Sequence, residues 1–399
     1  MMQLAAVLWH VSLLVRPDRR ALGLGLVGLV RLLPIVFFSI AAGAVADAWD
    51  RRRMMFYTQS AAAAVAVVLA ILTFRGLTHP WPIYLLTALS AVTGAFDGPA
   101  RQAMLPSLVP REHLPNAISL NMIMFQLASV AGPSLGGIVI ATLGVGWVYA
   151  INAVSFGCVI AALAMMRDIP PRDAAQVPDV SWHAVREGLR FVFAAPIIRS
   201  TMLLDFFATF FSSATALLPI FAQDILHVGA RGYGWLYAAP SVGAVVISLA
   251  MVRWIEHIDR RGVVLTWSIV AYGVATVVFG VSTVFWLTFA CLALTGAADT
   301  VSAVLRNVIR QLETPDHLRG RMIGVNMVFF MGGPQLGELE AGGVAQWLGA
   351  RWSVVTGGIG CLIAAAWIAA STPALRQYRR APLHGVDADA QGRLRSTVR

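Results

Sequence analysis

Lysine is absent from the 399 residues, so all 30 basic side chains are arginines. That absence removes the phosphate-binding lysine of a P-loop and the Schiff-base lysine of a pyridoxal-phosphate enzyme. Charged residues of both signs make up only 13% of the chain, against the ~25% usual for soluble domains. Cysteine is nearly missing. Cys158, Cys291 and Cys361 are far apart, odd in number and set in apolar stretches, which excludes a disulfide framework or a cysteine metal centre and predicts three free core thiols. What is plentiful is apolar: 58% of residues, with a mean hydropathy of +0.72. A water-soluble fold of this size buries only about three quarters of its unfolded surface, too little to hide so much grease. The solvent for most of the chain is therefore lipid. A soluble enzyme, a coiled coil and a disordered chain are excluded.

Lipid leaves helices as the only element for these runs, since backbone groups there must be satisfied within the segment. The expected spans are 1–15, 21–46, 54–75, 82–104, 117–142, 146–166, 197–222, 233–254, 263–283, 285–310, 320–347 and 352–371. The first is short of the ~20 residues of a crossing and is interrupted by Gln3 and His10. The expectation is that the start lies inside a longer first helix. No basic leader precedes it, so it is not a cleavable signal peptide. With both termini cytoplasmic, twenty-three arginines fall on the inner side, six on the outer side and Arg31 within a span. This bias accounts for the net charge of +10 without nucleic acid. Arg16, Arg19 and Arg20 in the first outer loop are a local exception. Trp81, Trp147, Trp286 and Trp352 fall at outer edges, where interfacial rings anchor.

The two halves repeat. Asp50-Arg51-Arg52-Arg53 returns as Asp259-Arg260-Arg261-Gly262, Asp97 as Asp299, Arg111-Glu112-His113-Leu114 as Pro315-Asp316-His317-Leu318, Asn121-Met122 as Asn326-Met327, and Gly132-Pro133 as Gly333-Pro334. The ordered offsets of 201 to 209 residues argue for a duplicated six-helix unit. The expected division is 1–166, a linker 167–196 with an amphipathic helix near Trp182 to Phe193, 197–371, and a disordered cytoplasmic tail 372–399.

Two parallel six-helix halves are the plan of the major facilitator superfamily, and particular residues agree with it. Gly43, Asp47, Arg51 and Arg52 match the loop signature G-x-x-x-D-[RK]-x-G-[RK]-[RK], from which Ala48 and Asp50 depart. Gly132, Pro133, Gly136 and Gly137 resemble the antiporter core G-P-x-x-G-G. Asp97-Gly-Pro-Ala-Arg101-Gln102, Leu105-Pro106, Pro110, Asn116-Ala117, Glu187-Gly-Leu-Arg190-Phe191 and Arg319-Gly-Arg321 resemble the enterobactin-exporter and macrolide-efflux branch. The resemblance implies an all-α polytopic membrane protein of major facilitator fold, with two six-helix bundles related by a pseudo-twofold axis and the first helix incomplete. It implies alternating access, with Asp47 tethering the inner loop, and favours export over import.

Gly23-Leu-Gly25-Leu-Val-Gly28 matches a dinucleotide fingerprint, but it lies inside a span rather than after a strand, so close helix packing is its expected role. Charges inside the bilayer are costly unless paired. Arg31, Asp205, Glu338 and Glu340 are the proton-coupling candidates. Arg31 and Glu338 both lie ~16 Å below the outer surface at 1.5 Å per residue. The expectation is that Arg31 pairs with Glu338 or Glu340, which are about 200° apart on one helix. Asp97 with Arg101 and Asp299 with Arg306 are expected as structural pairs, and His10 as packed. The expected function is secondary active, proton-coupled efflux of an amphipathic organic compound, siderophore or drug-like, from a monomer in a bacterial inner membrane. No cofactor, metal or enzymatic step is expected. A lysophospholipid-type transporter and a non-transporting sensor or scaffold are the alternatives.

Overall fold

The computed structural model describes residues 1–104, 108–166, 182–254, 257–315 and 318–379; the side chains of 39–48 and of a few other helical residues lie outside that description. Six helices come first: α1 (Met2–Leu14), α2 (Arg20–Ala48), α3 (Arg51–Phe74), α4 (Trp81–Met104), α5 (Leu114–Thr142) and α6 (Val145–Met165). The linker helix α7 (Trp182–Ala194) follows. Then come α8 (Pro196–Phe211), the short α9 (Leu218–Ile220), α10 (Gly229–Trp254), α11 (Arg261–Val281), α12 (Phe285–Glu313), α13 (Arg319–Leu348), α14 (Ala350–Ser371) and α15 (Pro373–Arg376). There is no strand among the described residues. Nine of their helical segments are long and apolar enough to cross a membrane.

Local chemistry sets the helix ends. Asp50, a departure from the loop signature, caps α3 by accepting the Arg53 backbone N–H at 3.1 Å. Gly144 and Gly349 start α6 and α14 with φ of +94° and +84°, a conformation open to glycine. They stand 205 residues apart, within the range of offsets of the sequence repeat. Pro34 in α2 and Pro240 in α10, and Pro133 in α5 and Pro334 in α13, also recur inside matched helices.

Three expectations need correction. Span seven is not one helix: α8 stops at Ser212, a 3-10 turn runs over Ala214–Leu217, and α9 passes into a π turn at Phe221–Ile225. Ser213 has left helical geometry (ψ +52°), and its hydroxyl donates to the Pro334 carbonyl at 2.9 Å. The tail does not loosen at Thr372. Leu375 is fully buried, and the Gly262 N–H donates to the Tyr378 carbonyl at 3.2 Å; the rest of the tail, 380–399, lies outside the described residues. Cys158 is exposed on the outward face of α6, whereas Cys291 and Cys361 are buried. Lipid accepts an apolar thiol as readily as a core does.

In lipid no hydrophobic force pulls helices together, so association rests on close approach of small residues and on polar contacts. Helix α2 packs on α4 and α13, and α5 packs on α10. α13 and α10 belong to the second half, so these two seams join the halves. The largest core cluster lies where the seams meet and draws on both: Ala5, Leu8 and Trp9 from α1, Leu217, Leu218 and Phe221, and Tyr233 and Leu236.

Candidate functional site

At the α2–α13 seam the helices touch backbone to backbone. A Cβ on Gly25 would stand 3.0 Å from the Gly342 Cα, and one on Gly28 would stand 2.7 Å from the Gln335 carbonyl oxygen and the Glu338 Cβ. The glycine run of α2 is thus a packing surface, which is the role the sequence assigned it. One turn further along, the Arg31 guanidinium lies 3.7 Å from Glu338 Oε2. Glu338 is buried and its Oε2 accepts no hydrogen bond. Glu340 is turned away and only half-buried. The sequence had left both glutamates open as partners; the structure brings Arg31 to Glu338.

At the α5–α10 seam, a Cβ on Gly137 would lie 2.7 Å from both the Ala230 carbonyl oxygen and the Gly234 Cα. Gly132 and Gly136 face the first residues of α1. Four of the antiporter-type residues thus sit together, three of them glycines in close helix contacts.

The end of the molecule that carries the α1–α2 loop is clamped further. Arg20 and Asp224 make an ion pair at 2.7 Å, Gln346 donates to the Asp18 carbonyl, Gln223 Nε2 donates to Ser12 Oγ at 2.8 Å, and Tyr233 Oη donates to the Ala5 carbonyl at 2.8 Å. Asp224 was missed in the sequence. The unexplained outer arginines were the signal, and a carboxylate ending span seven was the place to look. His10 is packed, with Nδ1 3.4 Å from Tyr149 Oη.

Toward the other end the seams open. Residues Ile118 to Phe125 of α5 are all exposed, more than two turns and so the whole girth of the helix. Phe37 and Phe38 of α2 and Ile323, Met327 and Phe330 of α13 are exposed at the same level. The halves meet at the α1–α2 loop end and leave an apolar space between them toward the α2–α3 loop end.

Charges flank that space. Asp97 accepts from Gln59 at 2.8 Å, from Thr58 at 3.1 Å and from Arg101 at 2.8 Å. Arg52 donates to the Leu163 and Ala164 carbonyls at 2.8 and 3.0 Å, closing the last turn of α6. Gly43 is placed on α2, but the side chain of Asp47 lies outside the described residues, so the loop tether with Arg51 is an expectation only. In the second half Arg306 meets Asp205 at 2.9 Å and Asp299 at 3.5 Å, and Arg310 meets Asp205 at 3.5 Å. Arg310 also donates to Thr201 Oγ1 and the Thr201 carbonyl, both at 3.1 Å, and to Asn326. The sequence paired Asp299 with Arg306 but missed Arg310, which fastens α12 to α8 and α13. Asp299 also borders a cavity of about 120 Å³ lined by Ser212, Thr215, Tyr272, Thr276 and Thr295. Asp205 is held by two arginines that are themselves buried. Asp205→Asn leaves Arg310 without a carboxylate and Arg306 with Asp299 alone, at an expected cost of about 3–5 kcal/mol for a broken buried pair. The thermal midpoint of the purified protein should fall, and Asp205→Asn combined with Arg306→Gln should regain part of the loss.

The profile of the family described as transmembrane secretion effector matches residues 2–387. The chain belongs to that family. Its curated relatives include the enterobactin exporter EntS of Shigella boydii serotype 18 and that of Escherichia coli O1:K1. Each is 27% identical over 343 residues, covering 86% of this chain and 82% of the relative. Among solved structures, a bacterial homologue of the human lysosomal transporter Spinster, captured inward-facing and unoccupied, aligns with a TM-score of 0.71 at 15% identity over 96% of this chain and 97% of that one. A peptide transporter bound to sulfate aligns at 0.73, with 11% identity over 95% and 92%. At such identities these two establish the major facilitator fold and nothing finer. Family membership and the exporter relatives make the chain a multi-pass membrane transporter and not an enzyme.

Proposed function

We propose that this chain exports an amphipathic organic compound, of siderophore or drug-like character, in exchange for protons across a bacterial inner membrane. It does so as a monomer with both termini cytoplasmic, by alternating access between units 1–166 and 197–371. The carrying observation is Glu338, a buried carboxylate without a hydrogen bond to Oε2, set on the closed seam 3.7 Å from Arg31 of the other half. A proton on Glu338 cancels its attraction to Arg31, so protonation and parting of the halves at this seam favour one another. One proton is thereby tied to one change of shape. The exposed phenylalanines and aliphatic residues facing the open end supply an apolar wall for the cargo. The arginine bias supports the assignment of that open end to the cytoplasm, and the exporter relatives support the direction.

Everted membrane vesicles test this reading. With an acid interior imposed, a hydrophobic dye or a catechol siderophore should accumulate severalfold over vesicles lacking the protein, and a protonophore should abolish the accumulation. Binding without accumulation, or accumulation indifferent to the protonophore, overturns it.

A further inference from the structure

We infer that the outward face of α7 is a docking surface for anionic phospholipid headgroups, which fix the linker helix against the membrane. This does not depend on the cargo or on proton coupling.

The two faces of α7 differ. One is seated on the second half: Val192 packs with Ile198 and Met202 of α8 and with Met322 and Val325 of α13, and Phe191 and Phe329 close around them. Glu187 and Arg321 make an ion pair at 2.6 Å between α7 and α13. The other face carries Arg186, Leu189, Arg190 and Phe193, all exposed. Their spacing of 0, 3, 4 and 7 residues puts them on one helical stripe. The stripe has no acidic residue. Arg199, also exposed, reaches back to donate to the Phe193 carbonyl at 3.4 Å and adds a third guanidinium beside the same ring.

The position of the stripe selects its partner. Only Ala195 separates α7 from α8, and the segment starting at Pro196 is long and apolar enough to span the bilayer. The stripe therefore lies at the boundary between lipid tails and water. There Leu189 and Phe193 enter the acyl edge while the arginines meet phosphate oxygens, the division of labour of an interfacial amphipathic helix. Arginine matches phosphate with paired N–H donors, and an anionic leaflet adds attraction for each basic residue near its surface. Because α7 is locked to α13 through Glu187 and the Val192 cluster, headgroups that hold α7 also hold the open end of a seam helix.

The test titrates detergent-solubilised protein with phosphatidylglycerol, phosphatidylcholine or inorganic phosphate and follows the thermal midpoint. Phosphatidylglycerol alone should raise it, and Arg186→Gln with Arg190→Gln should raise the half-saturating lipid concentration at least fivefold. Arg253→Gln, an exposed arginine at the end of α10, should leave the titration unchanged. A second readout is independent of stability. An environment-sensitive fluorophore on Phe193→Cys, with the three native cysteines replaced, should shift to the blue in vesicles of phosphatidylcholine and phosphatidylglycerol at 3:1, and less so with the two glutamines present. An unchanged titration in the double variant, an equal response to free phosphate, or a fluorophore that reports water in those vesicles overturns the inference. The last result would leave the face to a soluble protein partner.

Discussion

Glu338→Gln is expected to lower pH-gradient-driven accumulation in everted vesicles at least tenfold while leaving expression close to wild type. Glutamine keeps the volume of the side chain beside Gly28 and removes only the charge. A tenfold loss corresponds to about 1.4 kcal/mol. The attraction being removed is larger: opposite charges ~4 Å apart gain about 4 kcal/mol at an effective dielectric of ~20. A bias of that size is enough to shift a two-state equilibrium by roughly a thousandfold when a proton cancels it. The variant should still exchange cargo down its own gradient, because the seam can open and close without a proton. Arg31→Gln should also lose the response to pH, and a charge exchange of the two residues should recover part of it. Full gradient-driven accumulation by Glu338→Gln would remove the carboxylate from the coupling scheme and leave Arg31 and Glu338 as a structural pair.

A second large effect is expected at the other seam. Gly137→Val places carbon where the Ala230 carbonyl oxygen and the Gly234 Cα already stand at 2.7 Å from the first added atom. Both neighbours are backbone and cannot rotate away, so the helices must separate. The variant should be held with its α1–α2 loop end open, and transport should fall at least tenfold. Conformation can be read apart from transport by labelling Ser12→Cys, a position fully buried in the closed contact, with an impermeant maleimide in a background lacking the native cysteines. Labelling should rise severalfold with Gly137→Val. Gly157→Val is the matched control, since a Cβ there meets nothing within 4 Å and should leave both measurements unchanged. Wild-type transport by Gly137→Val, with Ser12→Cys still protected, would mean that α5 and α10 need no close approach.

Much of the architecture was legible before any coordinates. The apolar runs carried the all-helical, membrane-spanning architecture, because lipid allows so few alternatives. Arg31 and Glu338 could be set at one depth because helix rise is constant. What the sequence hid were events at a single peptide. The break at Ser212–Ser213 lies in an apolar run that reads as continuous, and it depends on a hydroxyl meeting a carbonyl of α13. Asp224 acquires its role only through Arg20, which stands against it from the other half. Asp205 looked like a lone intramembrane acid because its partners, Arg306 and Arg310, are a hundred residues away in sequence. The docking of Leu375 was invisible in a polar, arginine-rich tail, where one leucine carries no period.

The glycine contacts sit near one end of long helices. Helix α13 runs 30 residues, and Gly342 lies 23 residues from its start at Arg319. That arm is roughly 35 Å long at 1.5 Å per residue. Swivelling about Gly342 sweeps the distant tip by roughly 0.6 Å per degree. In the proposed rocking of the halves, a small angle at this fulcrum becomes a displacement of several ångströms at the far tip.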